Sequence, residues 1–154
     1  MDEHRAVLSM LNETWFGAEL AAETQARLAS LASMLDFEAG TEILREGDET
    51  TEMGIVISGR LALRMLVPGR GMVTILSVEP GDIFGWSVLT APYRASSTVV
   101  ATEAGRAIVL AGPALRAALR ADHALAASLY PRMLQAVGRR LTATRMQLLD
   151  LFAR

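Results

Sequence analysis

The sequence predicts a mainly β fold with flanking α, an antiparallel β jelly roll preceded by short helices and followed by a long C-terminal helix. Three observations carry that expectation. Residues 1–34 and 112–154 set apolar side chains at helical spacing. Residues 35–111 break into short runs of about five to eight residues with strand-like composition. Between those runs stand turn residues, chiefly Gly, Pro and Asp. With 154 residues, the chain has the size of one domain, and we read 1–154 as a single unit.

The elements follow in order. Val7, Leu8, Met10 and Leu11 form the apolar stripe of a first helix. After a break at Thr14-Trp15-Phe16-Gly17, the residues Leu20, Leu28, Leu31 and Leu35 continue at helical spacing, and Thr24 is the expected cap of this second helix. Strand-like runs then succeed one another as LDFEA, TEILREGD, EMGIVISGRLALRML, MVTILSVEPGD, STVVATE and RAIVL. Pro68-Gly69-Arg70-Gly71 reads as a hairpin turn, because Pro presets one turn angle and Gly accepts positive φ. Gly47 and Gly59, each at the end of an apolar run, are expected at chain reversals. Several short strands with regular turns imply an antiparallel sandwich or jelly-roll barrel.

Past Ala111-Gly112-Pro113 the helical period returns. Leu115, Ala118 and Leu119 make a short helix, and Asp122 is the expected N-cap of a long one carrying Leu125, Leu129, Met133, Val137, Leu141, Met146, Leu149 and Phe152. Pro131 is expected to kink or divide it. So long a stripe exceeds what a small roll can cover, which predicts a homodimer through Leu125, Leu129, Met133, Val137 and Leu141.

Composition narrows the function classes. A net charge of −2 argues against a chain whose main task is coating nucleic acid or an anionic membrane. Arg132, Arg139, Arg140 and Arg145 of the long helix read as a solvated face beside the dimer seam rather than a nucleic-acid contact. Cysteine is absent, the N-terminus is acidic, and nothing approaches ~20 uninterrupted apolar residues, so a soluble cytoplasmic protein without membrane attachment is expected. The two histidines, His4 and His123, lie in helical segments outside the β region. Neither a metal-holding barrel nor a Ser-His-Asp triad can be assembled from them, and we expect no enzyme.

The order of turns is more specific. Ile43-Leu44-Arg45-Glu46-Gly47-Asp48, then Ile55-Val56-Ile57-Ser58-Gly59-Arg60-Leu61, then Leu76-Ser77-Val78-Glu79-Pro80-Gly81-Asp82-Ile83-Phe84-Gly85, resembles the cyclic nucleotide-binding domain of the catabolite activator and protein kinase A regulatory-subunit superfamily. The resemblance runs from about Phe16 to the C-terminus. It implies a regulatory or sensor module with a ligand in the β roll, either cyclic AMP or cyclic GMP or another small anion, and with no other cofactor. It also implies signalling through the C-terminal helix to a second copy or a regulatory protein partner.

In that family a short helix after the second glycine and a buried arginine hold the cyclic phosphate, and a glutamate next to the glycine takes the ribose hydroxyl. Unpaired amides, the helix dipole and a two-pronged guanidinium all favour an anion there. The matching segment is GDIFGWSVLTAPYRASS, in which Arg94 is the only cation between Arg70 and Arg106. The resemblance thus nominates Gly85, Trp86, Ser87, Arg94, Ser96 and Ser97 as ligand-binding residues. Two features depart from the pattern. Gly85-Trp86 stands where the family has Gly-Glu, and an indole donates but cannot accept. Counting back from Val99-Val100-Ala101 puts Ala95, not Arg94, at the phosphate-binding position. Either the loop holds a bulge that returns Arg94 to the pocket, or Arg94 lies outside it, since a one-residue slip reverses the face. Two alternatives accompany the sensor reading. One is a ligand-free dimerisation scaffold whose pocket Trp86 fills. The other is the sensor part of a catabolite-activator-type transcription regulator without its helix-turn-helix; the sequence ends at Arg154, so no direct DNA binding is expected.

Overall fold

The computed structural model describes residues 2–153. Helices α1 (Asp2–Glu13), α2 (Trp15–Ala18) and α3 (Ala22–Leu31) lead into strands β1 (Ala32–Phe37), β2 (Glu42–Leu44), β3 (Glu52–Val67), β4 (Gly71–Val78) and β5 (Ile83–Phe84). A 3₁₀ turn (Trp86–Leu89), strand β6 (Thr98–Ala111), and helices α4 (Gly112–Ala121) and α5 (His123–Ala153) complete the chain. All strand pairings are antiparallel; the order is β1-β6-β3-β4, with β2 added to β6 and β5 to β3. This is a jelly roll between short N-terminal helices and a long C-terminal one.

Alternation along the two long strands builds the core. In β6, Ile108 and Leu110 face the helices while Ala107 and Val109 face the roll interior; in β3, Met53 and Ile55 face the helices and Val56 the interior. The helical side adds Val7, Leu11, Phe16, Leu28, Leu115 and Leu129, and the interior adds Phe37, Leu61, Leu63, Val78 and Phe84. Burial on both faces explains why these strands read as nearly continuous apolar runs.

Several local expectations change. Thr14, not Thr24, is a cap: its hydroxyl accepts from the Gly17 N–H at 2.9 Å and begins α2. Helix α3 starts after Ala21 without a side-chain cap, so Thr24 lies inside its first turn and is buried there. The first strand begins at Ala32, three residues before the expected boundary at residue 35, because Ala32–Leu35 pair in register with Ala107–Leu110. Gly59 does not reverse the chain. It has φ 79° within the continuous β3, where the pairing with β6 shifts register, so it bends the strand at a bulge. The Pro68–Gly71 hairpin turn forms between β3 and β4, with Arg70 N–H donating to the Val67 carbonyl at 2.9 Å.

Asp122 caps α5 by accepting from the Leu125 N–H at 3.0 Å. The helix then runs for 31 residues, undivided at Pro131. Its burial corrects the expected dimer seam: Leu125, Leu129 and Met133 sit in the chain's own core against the N-terminal helices and the sheet, leaving no surface for a partner. The exposed apolar residues of α5 are instead Tyr130, Leu134, Leu141, Met146, Leu148, Leu149, Leu151 and Phe152.

Candidate functional site

The site grows from the turn after β5. Ile83 and Phe84 pair with Ile55 and Gly54 of β3, which brings Gly85 against the start of that strand. Gly85 adopts φ 78°, and a Cβ there would lie 2.4 Å from the Glu52 carbonyl oxygen. Only glycine allows this approach, and it launches the 3₁₀ turn. Helix α4 fixes the turn's far end: Arg116 Nη1 donates to the Val88 carbonyl at 2.7 Å, and its guanidinium carbon lies 4.1 Å from the centre of the Tyr93 ring. The Ser87 and Thr50 hydroxyls share a hydrogen bond at 3.2 Å.

The returning segment is held by the loop that follows β2. Thr50 N–H donates to the Tyr93 carbonyl (2.7 Å), Gly47 N–H to the Ala95 carbonyl (2.9 Å) and Ala95 N–H to the Asp48 carbonyl (2.9 Å). This ladder settles the register. Ala95 is buried facing inward, while Arg94 is exposed, bridges Glu49 through its backbone and donates from Nη1 to the Gly47 carbonyl at 2.9 Å. Of the six nominated residues, Gly85, Trp86, Ser87, Ser96 and Ser97 converge on one cavity inside the roll, and Arg94 stays outside it.

That cavity holds only about 20 Å³, space for about one water. Leu44, Phe84 and Trp86 line it from the roll, and Arg140 lines it from α5. Next to it, a larger hollow of about 300 Å³ opens between β3, β4 and α5, mostly apolar and sharing Trp86, Ser96, Ser97 and Arg140 as walls.

Arg140 is the residue that the sequence reading missed. Its Nη2 donates to the Ile83 carbonyl at 2.7 Å, and its guanidinium carbon lies 5.1 Å from the centre of the Trp86 ring. Burial pushes this guanidinium below the usual arginine range, partly offset by Asp82, though arginine remains a cation. No carboxylate among the described residues comes within salt-bridge distance of it. Of the expected solvated face, Arg139 and Arg145 are exposed, whereas Arg132, like Arg140, is not. Arg132 is only 9% exposed, donates to the Phe16 carbonyl at 3.0 Å and to the Trp15 carbonyl, and meets Glu19 at 3.2 Å. Arg139 stacks on Trp15 at 3.8 Å. A signal for this existed: Leu129, Met133 and Ala136 continue at helical spacing to Arg140 and Ala143 rather than to Leu141.

No group of His, Cys, Asp and Glu able to hold a metal occurs among the described residues. No helix among them is long and apolar enough to cross a membrane.

A family model described as the cyclic nucleotide-binding domain matches residues 34–122. Among solved structures, a Geobacter metallireducens protein provisionally classed as cyclic nucleotide-binding is 27% identical, with 92% of this chain and 98% of that one covered and a TM-score of 0.75. A cyclic nucleotide-binding domain from Methylobacillus flagellatus is 21% identical, with 97% and 84% covered and a TM-score of 0.81. The regulatory domain of Toxoplasma gondii protein kinase A, crystallised with cAMP, is 24% identical, with 75% and 44% covered and a TM-score of 0.65. A search of curated proteins returns no match.

Proposed function

The chain belongs to the cyclic nucleotide-binding domain family, and on that premise we propose that it is a non-enzymatic cytoplasmic sensor whose state is set by a small anionic ligand and transmitted by α5. The observation that carries this reading is Arg140. The helix that would report occupancy supplies a cation without a carboxylate partner to the wall of the cassette cavity, the small one lined by Gly85, Trp86, Ser87, Ser96 and Ser97, and stacks it on Trp86. An anion entering there would draw the guanidinium from the Ile83 carbonyl, and the helix carrying it would follow. A ligand does this only by binding the rearranged state better. Arg140 thus takes the role that the resemblance assigned to Arg94, while Ser87, Ser96 and Ser97 offer hydroxyl donors.

Cyclic AMP and cyclic GMP are the first ligands to test, followed by cyclic dinucleotides and inorganic phosphate. Trp86 in place of the family's glutamate removes the acceptor for a ribose hydroxyl, which weakens the case for an ordinary cyclic nucleotide. At one hundred times its dissociation constant, a ligand should stabilise the chain by ~2.7 kcal/mol in thermal unfolding, and Arg140→Met should abolish that gain. The second reading, a ligand-free scaffold, is favoured by the small cavity of about 20 Å³. Absence of a shift with every compound would decide for it.

The readout partner is a second copy. Leu134, Val137, Leu141, Thr144, Leu148 and Leu151 recur on α5 at alternating steps of three and four, the spacing of a coiled-coil seam. Four of them are exposed leucines, a long apolar surface for a monomer to leave in water.

A further inference from the structure

The hollow between the roll and α5 has a composition that identifies its occupant. It encloses about 300 Å³, at the lower end of the range for small-molecule sites, whereas the cassette cavity beside it admits about one water. Leu63, Met65, Ile75 and Leu76 form its strand wall, Val137 and Leu141 its helix wall. At the inner end stands the Arg140 guanidinium, partly buried, bonded to a single carbonyl, with no carboxylate among the described residues at salt-bridge distance. Ser96 and Ser97 also line the hollow and, like Arg140, are shared with the smaller cavity. Apolar walls favour a body without hydroxyls, and a partly desolvated guanidinium favours an anion.

We propose that this hollow binds an amphipathic organic anion, an aryl or alkyl phosphate or carboxylate whose head pairs with Arg140 and whose apolar body lies between β3, β4 and α5. The inference rests on the reading of the chain as a ligand-responsive module and names the chemical class of the ligand. Occupancy would act on the helix face that carries Val137 and Leu141, which are also members of the exposed seam.

The test is calorimetric titration and thermal unfolding of the full chain with 1-naphthyl phosphate, set against inorganic phosphate, 1-naphthol and cyclic AMP. The expected result is a rise in unfolding temperature and quenching of tryptophan fluorescence with 1-naphthyl phosphate, at an affinity at least about tenfold above that for phosphate or naphthol. Arg140→Met should weaken 1-naphthyl phosphate at least about tenfold through loss of the charge-assisted contact. Met65→Trp, at the partly exposed rim, should block it by filling the hollow while leaving unliganded unfolding unchanged. Should Arg140→Met fail to fold, the rim variant decides. Binding that Met65→Trp leaves intact would place the ligand elsewhere and overturn the inference. A response to cyclic AMP or phosphate without one to 1-naphthyl phosphate would also overturn it while sparing the sensor reading. Silence from all four compounds would overturn the inference and leave the sensor reading to cyclic GMP and the cyclic dinucleotides.

Discussion

A methyl group added at Gly59 would stand 2.6 Å from the Ala104 carbonyl oxygen and 2.8 Å from the Gly105 Cα, on a backbone with φ 79°. Both neighbours are main chain of the paired strand and cannot rotate aside. Gly59→Ala should therefore cost ~1–3 kcal/mol, read as a lowered urea midpoint with an unchanged slope. A second residue-scale effect depends on pH. Asp36 faces Arg106 across β1 and β6, and Arg106 Nε donates to its carboxylate at 2.6 Å. That hydrogen bond holds the Asp36 carboxyl below its ordinary range, against a smaller opposing effect of desolvation. Because the folded chain prefers the charged form, the stabilisation is present above the unfolded pKa, near 4, and is lost as pH falls through the lower folded value. Asp36→Asn should flatten the stability profile in that acid window, and a profile parallel to that of the parent chain would refute the assignment. Arg94 illustrates what residue-level reading could reach. Counting positions raised the choice between facing in and facing out. The main-chain bonds of Gly47, Asp48 and Thr50, from a loop more than forty residues earlier, decided it.

At the scale of elements, α5 is two helices in function. From His123 to Ala136 it belongs to the core, and beyond Ala143 nearly all of its surface is open. Leu129, fully buried, should lose ~2–5 kcal/mol on truncation to alanine, whereas Leu134, 73% exposed, should lose almost nothing within one chain. Association should show the reverse ranking. Sedimentation is expected to find a dimer at micromolar concentration, which Leu134→Glu with Leu148→Glu dissociates while Leu129→Ala does not act on the seam directly. A monomer for the parent chain would remove the seam. The helical stripe was legible from spacing, but which of its two faces serves the chain and which a partner was not. Leu125, Leu129 and Met133 and the exposed leucines have the same chemistry and differ only in what the N-terminal helices cover.

For the whole molecule, the family match and the antiparallel roll support a regulatory or sensor module, and Arg140 joins its small cavity to α5. With Arg140 laid against Trp86, the cavity is lined by the element that would carry a signal outward. Ligand binding and helix position are therefore expected to be coupled. Hydrogen exchange along α5 near Arg140 should change when a ligand binds and should remain unchanged if the module is an inert scaffold. The sequence by itself determined the fold class, the Pro68–Gly71 turn and the Asp122 cap, while Gly85, Trp86, Ser87, Ser96 and Ser97 were nominated through the family resemblance. The first three follow from local periodicity, from glycine's freedom at positive φ or from short-range spacing. Tertiary structure alone decided that Arg94 points away, that Arg140 lines the cavity, that Gly59 bends a strand rather than reversing it, and that three of the five expected seam residues are core. These depend on contacts between segments tens of residues apart, where burial of one face over another is set by what packs against it, and local spacing alone does not choose between the faces.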